Sequence, residues 1–182
     1  GFKPEVAGTR QNIISPYIPA GSRTIEVTNA SVFNIGDNII IRHPSTSEWL
    51  KKVEFGGVYS DAPWAPGEID LVFNRYITKI EGNKIQVNTP IYDVLDQSLS
   101  QSFVYKNSGT SQIKECGIEN LRIFVESSGV TGRNHVKTCI NMVGVDNSWI
   151  KGVTTLRMSY SGVKFDEATR CSVVDTKVLE IH

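Results

Sequence analysis

"CINMVGVDNSWIKGVTTL", Cys139 to Leu156, laid over "GVKFDEATRCSVVDTKVL", Gly162 to Leu179, matches in pattern while sharing few identities. Trp149 and Ser172, Ile150 and Val173, Val153 and Thr176, and Leu156 and Leu179 stand 23 positions apart, and Ile140 with Val163 and Met142 with Phe165 keep the same offset. An earlier copy, "CGIENLRIFV", aligns Ile118 with Ile150 and Leu121 with Val153 at an offset of 32. The nine extra residues fall within "ESSGVTGRNHVKT". Self-similarity at a fixed period is the mark of stacked supersecondary units, and insertions in such stacks bulge outward as loops.

A unit of about 23 residues built of short strands and polar turns has few solutions. Leucine-rich repeats have similar length but need a lattice of Leu and a ladder of Asn, and neither is present. A right-handed parallel β-helix fits: each turn supplies two or three short strands, and Ile140, Met142, Ile150 and Val153 point inward. The expected fold class is therefore all-β, a right-handed parallel β-helix from residue 109 onward, preceded by a β-rich N-terminal cap over residues 1–108. Cys116, Ser148 and Cys171 share one repeat position, and Cys139 aligns with Gly162, so small residues are expected at corresponding corners. Three cysteines leave two readings open: small buried hydrophobes, or one disulfide and a free thiol.

The first half reads differently. "SRTIEVTNASVFNIGDNIIIRHP" predicts strands at Thr24 to Val27 and Asn38 to Arg42, with Phe33 as a plug between turns. "RYITKIEGNKIQVNTP" predicts a hairpin turning at Glu81-Gly82-Asn83. No stretch of a dozen residues carries helical apolar spacing. Between these strands, residues 53–70 are rich in Gly, Pro and aromatics without a period, and predict a long excursion of the kind that often carries function.

Lys plus Arg equals Asp plus Glu at 19 each, so no overall field draws the chain to nucleic acid or to an anionic membrane. No apolar run is long enough to span a bilayer. Neither a Gly-x-Ser-x-Gly elbow nor a Gly-rich phosphate loop occurs.

"GSRTIEVTNASVFNIGDNIIIRHPSTSEW", followed by "GIENLRI" and then Asn134-His135, resembles the opening of pectate-lyase-like right-handed β-helix proteins. That superfamily includes polysaccharide lyases, polygalacturonase-type hydrolases and phage tailspikes. The motifs are Gly36-Asp37, Arg42-His43-Pro44-Ser45-Thr46 with Trp49, and Asn134-His135. The resemblance implies a secreted or surface protein with a polysaccharide partner. It also implies many more turns, so the coil is expected to continue in a longer chain or to be covered by a neighbouring subunit.

Lyase chemistry on such a scaffold needs a base near neutral pH and cations that neutralise a uronate carboxylate. His135 is the candidate base or acid, with Arg133, Lys137 and Arg157 as the cations. Asn134, Tyr160 and Lys164 are candidate substrate contacts, and Trp49 and Trp64, at the edges of the long excursion, are candidate sugar-stacking platforms. A solvated loop, and tryptophans that plug a core edge, are the plainer readings of the same residues. A non-catalytic structural or adhesive rod is the alternative to a lyase. A glycoside hydrolase using Asp146, Asp166 and Glu167 is a second alternative. The same three carboxylates are the candidates for Ca2+, though no calcium-loop motif supports them. Asn29-Ala30-Ser31 is an acceptor pattern for a glycan at Asn29.

Overall fold

The computed structural model describes residues 4–57, 63–109, 112–126 and 136–181. The chain is mostly β and falls into two compact units, Phe2–Ser108 and Gly109–His182.

In the first unit, six strands pair antiparallel in the order Gln11–Asn12, Phe103–Lys106, Asn38–His43, Leu71–Glu81, Lys84–Val87, Thr24–Glu26. The alternation in Asn38–His43 explains its central place. Ile39 and Ile41 enter a core with Phe73, Ile77, Ile85 and Val104, while Ile40 is buried across from its ladder partner Tyr105. Each such side chain contributes roughly 1.5–3 kcal/mol when fully buried, so a one-residue slip of this strand would forfeit the core. Leu71–Glu81 is long enough to pair with two neighbours because a register shift between Ile77 and Lys79 bends it from one to the other. Glu81 pairs with Lys84, so the hairpin closes on Gly82 and Asn83. Phe33 is buried as a plug after the 3-10 turn Ala30–Val32.

A six-residue α-helix, Ser47–Lys52, departs from the expectation of no helix. Thr46 caps it by accepting the Trp49 amide at 3.2 Å, and Lys51 and Lys52 sit where the helix dipole favours cations.

In the second unit the sequence offsets are the strand registers. Gly117–Glu119, Trp149–Lys151 and Ser172–Val174 form one parallel ladder, with Ile118 beside Ile150 and Ile150 beside Val173. Arg122–Phe124, Thr154–Leu156 and Lys177–Leu179 form a second. Thr138–Val143 pairs with Ser161–Asp166, and Ile113–Lys114 with Val145–Asp146. Ile140, Met142, Val145, Ile150 and Val153 make the interior.

The corners repeat as well. Glu115, Asn147 and Arg170 have φ of 55°, 49° and 53°, and Asn120, Gly152 and Asp175 have 54°, 63° and 50°. Each set is spaced 32 and then 23 residues, so one left-handed corner recurs at the same place in each copy although only one of the six residues is glycine. Small residues hold the expected places: Cys116 lies against Ser148, Sγ to Oγ 3.3 Å, and a Cβ added to Gly162 would stand 2.3 Å from Thr155 Oγ1. All three cysteines are free thiols.

Asp146 is a correction to its reading as a hydrolase or Ca2+ carboxylate. It is fully buried, and Arg170 Nε and Nη2 donate to its two oxygens at 2.8 and 2.6 Å. A carboxylate held this way is not free to act as a hydrolase acid or as a calcium ligand.

Candidate functional site

The excursion after strand Asn38–His43 is closed at its base by Asp70. Its Oδ1 accepts the Ser45 amide at 2.7 Å and the Ser45 hydroxyl at 3.0 Å, and Arg42 Nε donates to Oδ2 at 2.6 Å. Ser45 Oγ in turn accepts the Gly67 amide at 2.9 Å. Burial pushes the Asp70 pKa up, but the Ser45 amide, Arg42 and the Ser45 hydroxyl outweigh it, so the group lies below its ordinary value.

With both ends fixed, Trp49 and Trp64 come to line one cavity. Trp49 comes from the helix and Trp64 from the returning segment, whose amide donates to Phe55 O at 3.1 Å. Both line one open cavity of about 410 Å³. Val53, Ile69 and Leu71 complete its apolar wall, Gly56 and Gly57 form part of its lining, and Asp93 supplies one carboxylate. Gly56 is required by contact: an added Cβ would stand 2.7 Å from Trp64 Cε2. Four consecutive residues here, Glu54 to Gly57, have positive φ, and two of them are not glycine. Backbone strain of this kind collects at ligand clamps.

Trp49 is only 8% exposed although it lines the cavity. Trp64 is 36% exposed. Behind Trp49 lies His43, buried, its ring edge-on to the indole with centroids 6.2 Å apart. Nδ1 shares a hydrogen bond with Ser102 Oγ at 2.6 Å, and Nε2 has no partner among the described residues. Burial pushes the His43 pKa below its ordinary value against the opposing fields of Asp93, Asp96 and Asp70.

The second group of candidates belongs to the other unit. Arg133, Asn134 and His135 lie outside the described residues. Lys137 is exposed, and its carbonyl accepts the amides of Tyr160 and Ser161 at 3.0 and 2.9 Å, which brings Lys137 and Tyr160 together. Tyr160 is 74% exposed. Arg157 donates to Glu180 Oε2 at 2.7 Å and lies over the Phe124 ring at 4.9 Å. Lys164 Nζ pairs with Asp166 Oδ2 at 3.2 Å. Exposed pairs of this kind contribute about 0–1 kcal/mol, so a ligand carboxylate competes with them readily. No group of three His, Cys, Asp or Glu able to hold a metal stands among the described residues. Asn29 is exposed and its Oδ1 accepts the Ser31 amide at 2.9 Å.

Asp93 and the buried His43–Ser102 pair escaped the sequence reading. Asp93 follows no motif, and Ser102 is 59 residues from His43.

No protein-family model matches the chain, and no curated protein matches it. Among solved structures, the chain is similar to the Gp54 tailspike of Acinetobacter baumannii bacteriophage AP22, whose structure holds A. baumannii capsular saccharide. Identity is 9% over 97% of this chain and 34% of that one, with a TM-score of 0.44. It is similar also to the tailspike gp61 of Pseudomonas phage phi297, at 11% identity over 96% and 34%, TM-score 0.39. For the tailspike gp49 of Pseudomonas phage LKA1 the figures are 13%, 90%, 28% and 0.40. The chain thus spans about a third of the length of the tailspikes it matches.

Proposed function

We propose that this chain is a carbohydrate-binding protein that engages a polysaccharide at the Trp49–Trp64 cavity of its first unit, and that its second unit is made of turns of a right-handed parallel β-helix. The observation that carries the binding reading is the convergence of the two tryptophans of the excursion on one cavity with a single carboxylate. Indole faces take up the C–H face of a pyranose, and a carboxylate accepts hydrogen bonds from neighbouring hydroxyls. The support for the β-helix reading is the set of parallel registers, together with the left-handed corners repeating at the same offsets. A polysaccharide ligand of this kind is met outside the cell, so the reading carries an extracellular or surface location.

β-Elimination on an acidic polysaccharide is the second reading, favoured by one observation. The backbone bonds from Tyr160 and Ser161 to Lys137 put an exposed phenol beside the segment that follows Arg133, Asn134 and His135. In that reading His135 removes the proton α to the uronate carboxylate, and Arg133, Lys137 and Arg157 neutralise the carboxylate and the developing enolate, with Asn134 and Lys164 holding the chain.

Two assays separate the readings. Co-sedimentation with a panel of insoluble and immobilised polysaccharides, for the wild type and Trp64→Ala, tests binding; retention by no polysaccharide, or retention untouched by the substitution, contradicts the cavity's role. Ultraviolet absorbance of unsaturated uronates, for the wild type and His135→Ala, tests the lyase; absorbance that appears with the wild type alone supports it, and its absence from every acidic substrate rejects it.

A further inference from the structure

We infer that the Trp49–Trp64 cavity takes a neutral, hydroxyl-bearing pyranose unit and excludes a uronate, an inference that rests on the polysaccharide-binding reading. Among the described residues that line the cavity, Asp93 is the one ionisable group. Lys51 and Lys52, at the end of the helix that carries Trp49, are exposed and do not stand among the described lining residues, and Arg42 is paired with Asp70. The charges felt by the neighbouring His43 are those of Asp93, Asp96 and Asp70, all of one sign. A uronate carboxylate in the cavity would stand beside Asp93 with no cation among the described lining residues to offset it, and like charges against apolar walls repel strongly.

A hydroxyl-bearing ring meets the opposite situation. Asp93 Oδ1 accepts the Val94 amide at 2.7 Å, which fixes the carboxylate, while Oδ2 has no partner among the described residues. A carboxylate so placed accepts from one or two ring hydroxyls, and such charge-assisted bonds are the strong ones. The tryptophans supply the apolar contact that every pyranose with an equatorial-rich face can use, so they set affinity while Asp93 sets the charge class.

Isothermal titration of the full chain with two sets of hexasaccharides tests this: neutral chains of glucose, galactose, mannose and N-acetylglucosamine, and uronate chains of galacturonate and mannuronate. The expected result is that at least one neutral hexasaccharide binds about ten-fold or more tighter than every uronate. Asp93→Ala weakens that binding about ten-fold, and Asp93→Asn, which keeps the acceptor for Val94, weakens it less and narrows the gap to the uronates. Trp64→Phe retains a large part of the affinity. A uronate that binds tighter than every neutral chain, in a manner lost in Trp64→Ala, overturns the inference and leaves the binding reading standing. Neutral binding unchanged in Asp93→Ala overturns it too. Binding of neither set overturns both.

Discussion

Arg170 reaches from a left-handed corner, φ 53°, to close two hydrogen bonds on the carboxylate of Asp146, which is wholly buried one strand away. The backbone of the same Asp146 pairs with Lys114 in the ladder and bridges Thr169 on the other side, so the residue that carries the ion pair joins three successive copies at one corner. Arg170→Met leaves that buried carboxylate without its guanidinium and is expected to cost about 2–3 kcal/mol. The double variant Asp146→Asn, Arg170→Met should recover part of the loss. Thermal denaturation of the four proteins measures it; additive losses would show that the two groups do not act as a pair.

The left-handed corners give a second prediction, with opposite signs at two different corners. Gly144 and Glu167 stand 23 residues apart with φ of 63° and 51°, so Glu167→Gly relieves a strained L-residue and should stabilise by about 0.5–1 kcal/mol. At Gly152 the change runs the other way. Its φ is 63° and an added Cβ would stand 2.8 Å from Asn120 Oδ1, so Gly152→Ala should destabilise by about 1–2 kcal/mol. Urea denaturation of the two variants gives both signs.

His43 makes the first unit sensitive to acid. Its pKa is lowered in the folded state, so on acidification below about 6.5 the unfolded chain takes up a proton that the fold resists. Stability is therefore full above that pH and falls toward the lowered folded value, by up to about 1.4 kcal/mol per pH unit. Asp70, also lowered, acts in a separate window below the ordinary carboxylate range. Melting temperature against pH should show a slope beginning below about pH 6.5 that His43→Gln removes. An unchanged slope in the variant would assign it to another group.

Gly56 guards the position of Trp64. Gly56→Ala puts a methyl 2.7 Å from the indole at a backbone φ of 92°, so the ring must move. Polysaccharide affinity should fall about five- to ten-fold with Trp64 still present, and Trp64 fluorescence should shift. Full affinity in Gly56→Ala would mean that the indole does not contact the ligand.

The sequence made the parallel registers readable because stacking places like residues in columns: Ile118, Ile150 and Val173 can be aligned by eye, and they pair in the ladder. Glycine marks corners at Gly144 and Gly152, and Asn at Asn120 and Asn147, whereas Glu115 and Arg170 adopt left-handed backbone without any signal in residue type. The helix Ser47–Lys52 was hidden because six residues are too few to show a helical period, although its cap, Thr46, lies in the segment that carried the family resemblance. Asp146 misled because its partner is 24 residues away and side-chain pairing leaves no periodic trace. Trp49 and Trp64 were chosen for their place beside the long excursion; their meeting in a cavity with Asp93 depends on the Ser45–Asp70 closure, which spans 25 residues and has no spacing rule.

The most direct test of the central claim uses the three tryptophans of the chain as separate reporters. Trp49 and Trp64 line the cavity, whereas Trp149 belongs to the other unit and donates its indole N–H to Glu119 Oε1 at 2.6 Å. Indole 15N–1H spectra, assigned with Trp64→Phe and Trp149→Phe, are recorded while a bound neutral hexasaccharide is titrated in. The account predicts that the Trp49 and Trp64 signals move together along one saturation curve and that Trp149 stays in place. Saturable binding that moves Trp149 alone, or none of the three, would contradict it.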